Sequence, residues 1–196
     1  MLSTPYEEVY RGHTIRVEID EDPFNPRDDD NMGTMVCAHR RYRLGDEQSN
    51  QETSKDLYNE LVRERGAVVI KQLYLYDHSG LTINTTGFSC GWDSGVVGFI
   101  YATRQDIQVR LQCKNMTKKV LELANKILVE EVKAYDEYLT GDVYRWSVKD
   151  ADGDHLDSCG GYFGDANYAL KDAKRSVEEM TTQEEFDFKK GEQTCQ

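Results

Sequence analysis

The sequence predicts an α+β fold, a single domain in which an antiparallel or mixed sheet carries two to four helices, and three observations lead to that class. His13–Asp20 alternates Ile15, Val17 and Ile19 with Arg16, Glu18 and Asp20, the period-two pattern of a half-buried strand. Val120, Ala124, Ile127, Leu128, Val132, Tyr135 and Leu139 recur at helical spacing and give one apolar face. Strand-like segments stand before, between and after the helical ones, the order expected of helices packed on a mixed sheet.

The remaining elements follow in chain order. After the first strand, Asp22–Asn31 contains Pro23 and Pro26, which keep it out of regular pairing and make it a loop. Met35–Arg43, between Gly33 and Gly45, reads as a second strand, and the polar Gln48–Thr53 as a surface excursion. Ser54 is placed to cap a helix that runs to Arg65 with Leu57 and Leu61 inward, and Gly66 ends it. Ala67–Tyr76 is rich in β-branched and aromatic residues, a central strand. Asp77–Gly95 is dense in Gly, Ser, Thr and Asn and reads as a long loop or short hairpin before a strand at Val96–Ala102. Thr103 caps a short helix, the long helix spans Thr117–Leu139, and Gly141 stops it. Val143–Lys149 and His155–Cys159 flank Asp152-Gly153, a hairpin signal because Asp-Gly tolerates positive φ. Asp165 opens a last helix with Ala166, Leu170, Ala173, Val177 and Met180 inward. Without an internal repeat or a long linker, residues 1–182 are expected as one domain, followed by an acidic, flexible tail at 183–196.

Charge narrows the function. Thirty-six acidic side chains against 24 basic ones give a formal charge of -12 in 196 residues. Such a field repels phosphate backbones and anionic lipid and attracts basic surfaces, so a basic protein partner is expected, with no direct nucleic acid and no membrane. The apolar runs at residues 67–70 and 96–100 are too short to cross a bilayer. No positive patch followed by an apolar stretch opens the chain, and the five cysteines are irregularly spaced, which suits reduced thiols and a cytoplasmic location.

Two clusters stand out as candidate sites. Glu18, Asp20, Glu21, Asp22, Asp28, Asp29 and Asp30 are seven acids with Arg27 alone among them, a density suited to a solvated loop, to docking on lysines and arginines or, with less defined geometry, to a hard-metal site. Asp77, His78, Cys90, Trp92 and Asp93 crowd titratable groups into a Gly-rich segment, the composition of a small metal- or thiol-dependent site. In that second reading His78 would be oriented by Asp77 and act on Cys90, or Cys37, His39, His78 and Cys90 would hold zinc. Neither pattern has a recognised spacing, and no cofactor is expected. Gly87-Phe-Ser-Cys-Gly91 matches a nucleophile-elbow motif without the helix that should follow it. Asp150, Asp152, Asp154 and Asp157 lack the spacing of a calcium loop. A nucleotide trap would need a cationic pocket, and a strand at Met35–Arg43 would not aim Arg40, Arg41 and Arg43 the same way.

Several segments resemble a known family when taken together. They are Asp22-Pro-Phe-Asn-Pro-Arg-Asp-Asp-Asp-Asn-Met-Gly-Thr-Met-Val-Cys-Ala-His-Arg-Arg-Tyr42, Tyr76-Asp-His-Ser-Gly-Leu-Thr-Ile-Asn-Thr-Thr86, Phe88-Ser-Cys-Gly-Trp-Asp-Ser-Gly95, Tyr138-Leu-Thr-Gly-Asp-Val-Tyr144 and Asp157-Ser-Cys-Gly-Gly-Tyr-Phe-Gly164. The chain resembles small acidic proteins encoded in phage and mobile-element genomes. The resemblance implies a phage origin, action in the host cytoplasm and, by analogy, interference with host defence. It assigns no catalytic residue. The resulting expectation is an inhibitory binding protein whose carboxylates imitate DNA on the basic surface of a defence enzyme.

Overall fold

The computed structural model describes residues 4–194, with side chains described through residue 182. Among them are nine strands and four α-helices, an α+β chain with two sheets. No helix among the described residues is long and apolar enough to cross a membrane. The chain divides into two compact units, Met1–Phe24 with Gly141–Gln196, and Asn25–Thr140.

The first unit is a four-stranded antiparallel sheet in the order β1-β2-β8-β9 with one helix on it. Strand β1 (Tyr6–Tyr10) turns through Arg11 and Gly12, both at positive φ, into β2 (His13–Ile19). Strands β8 (Val143–Lys149) and β9 (His155–Phe163) form the hairpin that Asp152-Gly153 predicted, with Gly153 at φ +90°. Helix α4 (Ala166–Thr194) lays Ala166, Ala169, Ala173 and Val177 against Ile15, Val17, Tyr144, Trp146 and Val148. Its small residues allow close approach to the sheet. Polar bonds then hold it in register: Trp146 Nε1 donates to Tyr162 Oη (2.7 Å), and the Tyr162 hydroxyl donates to Asp172 (2.5 Å). The helix extends through much of the segment expected as a tail, whose side chains lie outside the described residues.

The second unit is a five-stranded sheet ordered β4-β3-β7-β5-β6, antiparallel except where β3 meets β4. Strands β5 (Ala67–Asp77) and β7 (Ser94–Thr103) form its centre, flanked by β3 (Thr34–Cys37) with β4 (Glu47–Gln48) and by β6 (Leu81–Asn84). Helix α3 (Lys118–Thr140) covers one face with Ala124, Leu128, Val132 and Tyr135 against Leu73, Leu75, Ile83 and Ile100. Helix α1 (Ser54–Arg63) covers the other with Leu57 and Leu61 on Val36, Phe99 and Tyr101. Burial on both faces explains why Val96–Ala102 is continuously apolar and does not alternate. Helix α2 (Arg104–Leu111) begins with a full capping box between Thr103 and Asp106.

Two expectations are corrected. Thr53, not Ser54, caps α1, its hydroxyl accepting from Asp56 N (3.1 Å). The strand expected at Met35–Arg43 ends at Cys37, because the His39 ring accepts from Arg41 N (3.4 Å) and Tyr42 N (3.2 Å) and bends the chain. Residues 38–46 are therefore a loop, and strand alternation does not govern the arginines on it.

A buried guanidinium organises this unit. Asn25 Oδ1 accepts from Arg27 N and starts a 3-10 turn at Pro26–Asp28 that sends the Arg27 side chain inward, 2% exposed. Arg27 donates to both oxygens of Asp46 (2.9 and 2.7 Å), to the Gly33 carbonyl (2.6 Å) and to Glu131 (3.4 Å). Both carboxylates act again: Glu131 accepts from Met32 N (2.8 Å) and Gly33 N (3.0 Å), and Asp46 from Met35 N (2.7 Å).

Arg27→Met should destabilise the protein by about 3–5 kcal/mol, since it strands two carboxylates in a partly buried site; a urea midpoint lowered at unchanged m-value checks it. A second outcome concerns Asp136, whose carboxyl burial raises above the ordinary 3.8 against the opposing hydrogen bond from Ile83 N. A raised folded-state value means stability present below the unfolded-state pKa and lost as pH rises through the folded one. Asp136→Asn, whose amide oxygen still accepts from Ile83 N, should match or exceed the parent at pH 7 and lose that advantage as pH falls to about 4, read from urea midpoints across pH.

Candidate functional site

Strand pairing at one end of the second unit's sheet builds a cavity. After a register shift between Leu73 and Tyr74, β5 and β7 pair on to Tyr76↔Ser94, and Asp77 N then donates to the Asp93 carbonyl (2.9 Å), which brings the two aspartates to one edge. The connecting segment is held by an Asx turn in which Asn84 Oδ1 accepts from Thr86 N (3.0 Å) and Gly87 N (2.7 Å). Phe88 packs on the Tyr76 ring, centroids 5.5 Å apart. The loop at 38–46 supplies the other wall, anchored where Ala38 N donates to the Val97 carbonyl (2.7 Å).

The resulting cavity has a volume of about 320 Å³, and Leu75, Val97, Asp77, Asp93, His39 and Arg41 face it. Trp92 stands at its rim, 98% exposed. The Arg41 guanidinium pairs with Asp77 Oδ2 and lies 5.3 Å from the centre of the Tyr42 ring, which also stacks with the His39 imidazole at 5.0 Å. His78 Nδ1 sits 3.3 Å from Asp93 Oδ2.

Of the second sequence cluster, the structure thus brings Asp77, Trp92 and Asp93 together at one cavity. His78 joins through Asp93 and not through Asp77, which Arg41 occupies. Cys90 is half-buried, its carbonyl accepting from Ser94 Oγ, and among the described residues no hydrogen bond joins its sulfur to His78. The four suggested zinc ligands do not assemble: Cys37 is fully buried in the core, and among the described residues no group of three or more His, Cys, Asp and Glu side chains is arranged to hold a metal. Burial and the Asp46 carboxylate push the Cys37 thiol up to about 12 despite the opposing charge of Arg27, which leaves it protonated and unreactive. His39 and Arg41 stand outside the Asp77–Asp93 cluster: the sequence offers His39 only as a zinc ligand and Arg41 only as part of a cationic pocket, because a strand is expected where the His39-Arg-Arg-Tyr42 turn lies.

The acidic cluster is divided by the fold. Glu18, Asp20, Glu21 and Asp22 belong to the first unit, and Asp28, Asp29 and Asp30 to the second. In the first unit Glu18 is bracketed by Arg16 Nε (2.8 Å) and Arg145 Nε (3.7 Å), and Asp20 accepts from Gly161 N (3.2 Å). A Cβ at Gly160 would fall 2.4 Å from Asp20 Oδ2, so glycine is what lets the carboxylate reach β9. These side chains, with the exposed Glu21 and Asp22, line a groove of about 820 Å³. In the second unit Asp30 approaches Arg110 (3.5 Å), while Asp28 and Asp29 are exposed and, among the described residues, without an ion pair.

Charge follows the same division. The first unit holds 19 acids against 9 bases, net -10, and the second 17 against 15, net -2. Nearly all the excess charge thus belongs to the smaller unit.

Iodoacetamide should label the exposed Cys159 in the native protein and reach Cys37 only after unfolding, as peptide mapping would show. In comparisons with known proteins, no family model, no curated protein and no solved structure matches this chain.

Proposed function

We propose that the protein is an inhibitory binding protein that captures the basic, nucleic-acid-binding surface of a host defence enzyme, as its resemblance to phage-encoded acidic proteins suggests. The observation that carries the reading is the concentration of charge: a net -10 in the smaller unit, against -2 in the larger. A field of that sign draws in lysine- and arginine-rich surfaces over a Debye length of about 8 Å at physiological salt and turns nucleic acid away. Carboxylates then stand where phosphates would, each accepting from guanidinium or ammonium donors. Glu21 and Asp22 suit that role, being exposed and, among the described residues, free of ion pairs. Glu18 and Asp20 suit it less, because arginines and the β9 backbone already use them.

An enzyme at the Asp77–Asp93 loop has less behind it. A nucleophilic Cys90 needs a base, and the His78 imidazole is directed to Asp93.

Capture of host proteins from lysate should fall steeply as salt is raised from about 0.05 to 0.5 M. Glu21→Gln with Asp22→Asn should slow association several-fold, more than Asp28→Asn with Asp29→Asn does. A captured partner whose affinity ignores ionic strength would overturn the reading.

A further inference from the structure

We infer that the cavity between the ends of β5 and β7 and the loop at 38–46 receives an arginine side chain of the partner protein, an inference that rests on the reading of the chain as a binder of basic surfaces. Three observations converge on it. Trp92 is 98% exposed, in contrast to Trp146, which is 3% exposed in the first unit's core. An indole held in water forgoes the burial that normally stabilises so large a ring, and such residues gain their energy where a partner covers them. Next to it, Leu75 and Val97 make an apolar floor while Asp77 and Asp93 supply two carboxylates against the single permanent cation of Arg41, the His78 imidazole at Asp93 and that of His39 being neutral at pH 7 unless protonated. The cavity therefore retains negative charge for an incoming cation.

The third observation is Arg41 itself. Its guanidinium rests on Asp77 and near the Tyr42 ring, the carboxylate-plus-aromatic arrangement that an arginine of a partner would meet on Asp93 and Trp92. The site thus already holds one guanidinium of the chain's own, on a side chain that is 69% exposed and so leaves a face open for a second to stack on. Arginine fits better than lysine, because its planar fork matches a carboxylate with two hydrogen bonds and its face stacks on indole. A nucleotide fits worse: its phosphates would meet two carboxylates, while Arg40 and Arg43 do not line the cavity. At about 320 Å³ the space lies at the small end of ligand cavities and accommodates a single side chain.

Tryptophan fluorescence of the full chain tests this directly, since Trp92 is exposed and Trp146 is buried away from added solute. Titration with N-acetyl-arginine methylamide should give a saturable change with a dissociation constant on the order of 1 mM, as befits one side chain. N-acetyl-glutamate methylamide and ADP should give none. Asp93→Asn should weaken the response at least tenfold, and Trp92→Phe should abolish it. Both positions are exposed, so an unchanged urea midpoint verifies that the variants remain folded. No saturable response to the arginine amide, an equal response to glutamate amide or ADP, an unaltered Asp93→Asn, or a signal that survives Trp92→Phe would each overturn the assignment. Such a failure beside intact salt-dependent capture would remove the cavity alone; arginine binding beside salt-indifferent capture would remove the broader reading instead.

Discussion

Arg27 is a permanent cation taken almost wholly out of water, and unit Asn25–Thr140 is arranged to make that tolerable. Burial works to lower its pKa, yet the hydrogen bonds and charge of Asp46, with the charge of Glu131, outweigh it and raise the value above that of free arginine. Each anion is tied in turn to backbone N–H groups, Glu131 to Met32 and Gly33 and Asp46 to Met35. One guanidinium thereby joins the approach to β3, the approach to β4 and the middle of α3. Removing one member would leave a buried charge uncompensated, which costs more than the intact cluster adds over apolar residues of similar volume.

The candidate cavity depends on that arrangement. The loop at 38–46 closes at its far end through Asp46, next to Gly45, whose N–H donates to Tyr135 Oη (3.1 Å). Gly45 has φ +67°, and a Cβ there would lie 2.8 Å from Met35 Cβ, so only glycine allows the loop to close so tightly. With both ends fixed, the His39-centred turn projects Arg41 toward Asp77. The buried ion cluster thus fixes one end of the loop that carries the exposed Arg41–Asp77 pair.

Electrostatics divides the chain differently from the sequence. Read linearly, Glu18–Asp30 is one acidic stretch around Arg27. In the structure Arg27 leaves the surface altogether, Glu18 and Asp20 are engaged by Arg16, Arg145 and Gly161, and the remainder separates between the two units. The stronger asymmetry lies elsewhere, in the excess of acid that the first unit gathers from both ends of the chain.

Composition and periodicity determined a good deal: the α+β class, the amphipathic α3, the capped α2, the β8–β9 hairpin and the general acidity all follow from spacing, caps and charge, which act within a few residues. β1 escaped notice because Tyr6, Glu8 and Tyr10 face α4 with polar ends, Glu8 on Lys174 and Tyr10 on Glu178, so no apolar alternation marks it. Tertiary structure alone decided what depends on distant partners. It put Arg27 inside, 19 positions from Asp46 and 104 from Glu131; it made His39–Arg43 a loop; it gave Asp77 to Arg41 and His78 to Asp93. The reason is physical: a local pattern reports which face of an element avoids water, whereas the pairing of charges is settled by which elements the packed core brings within about 3 Å of each other.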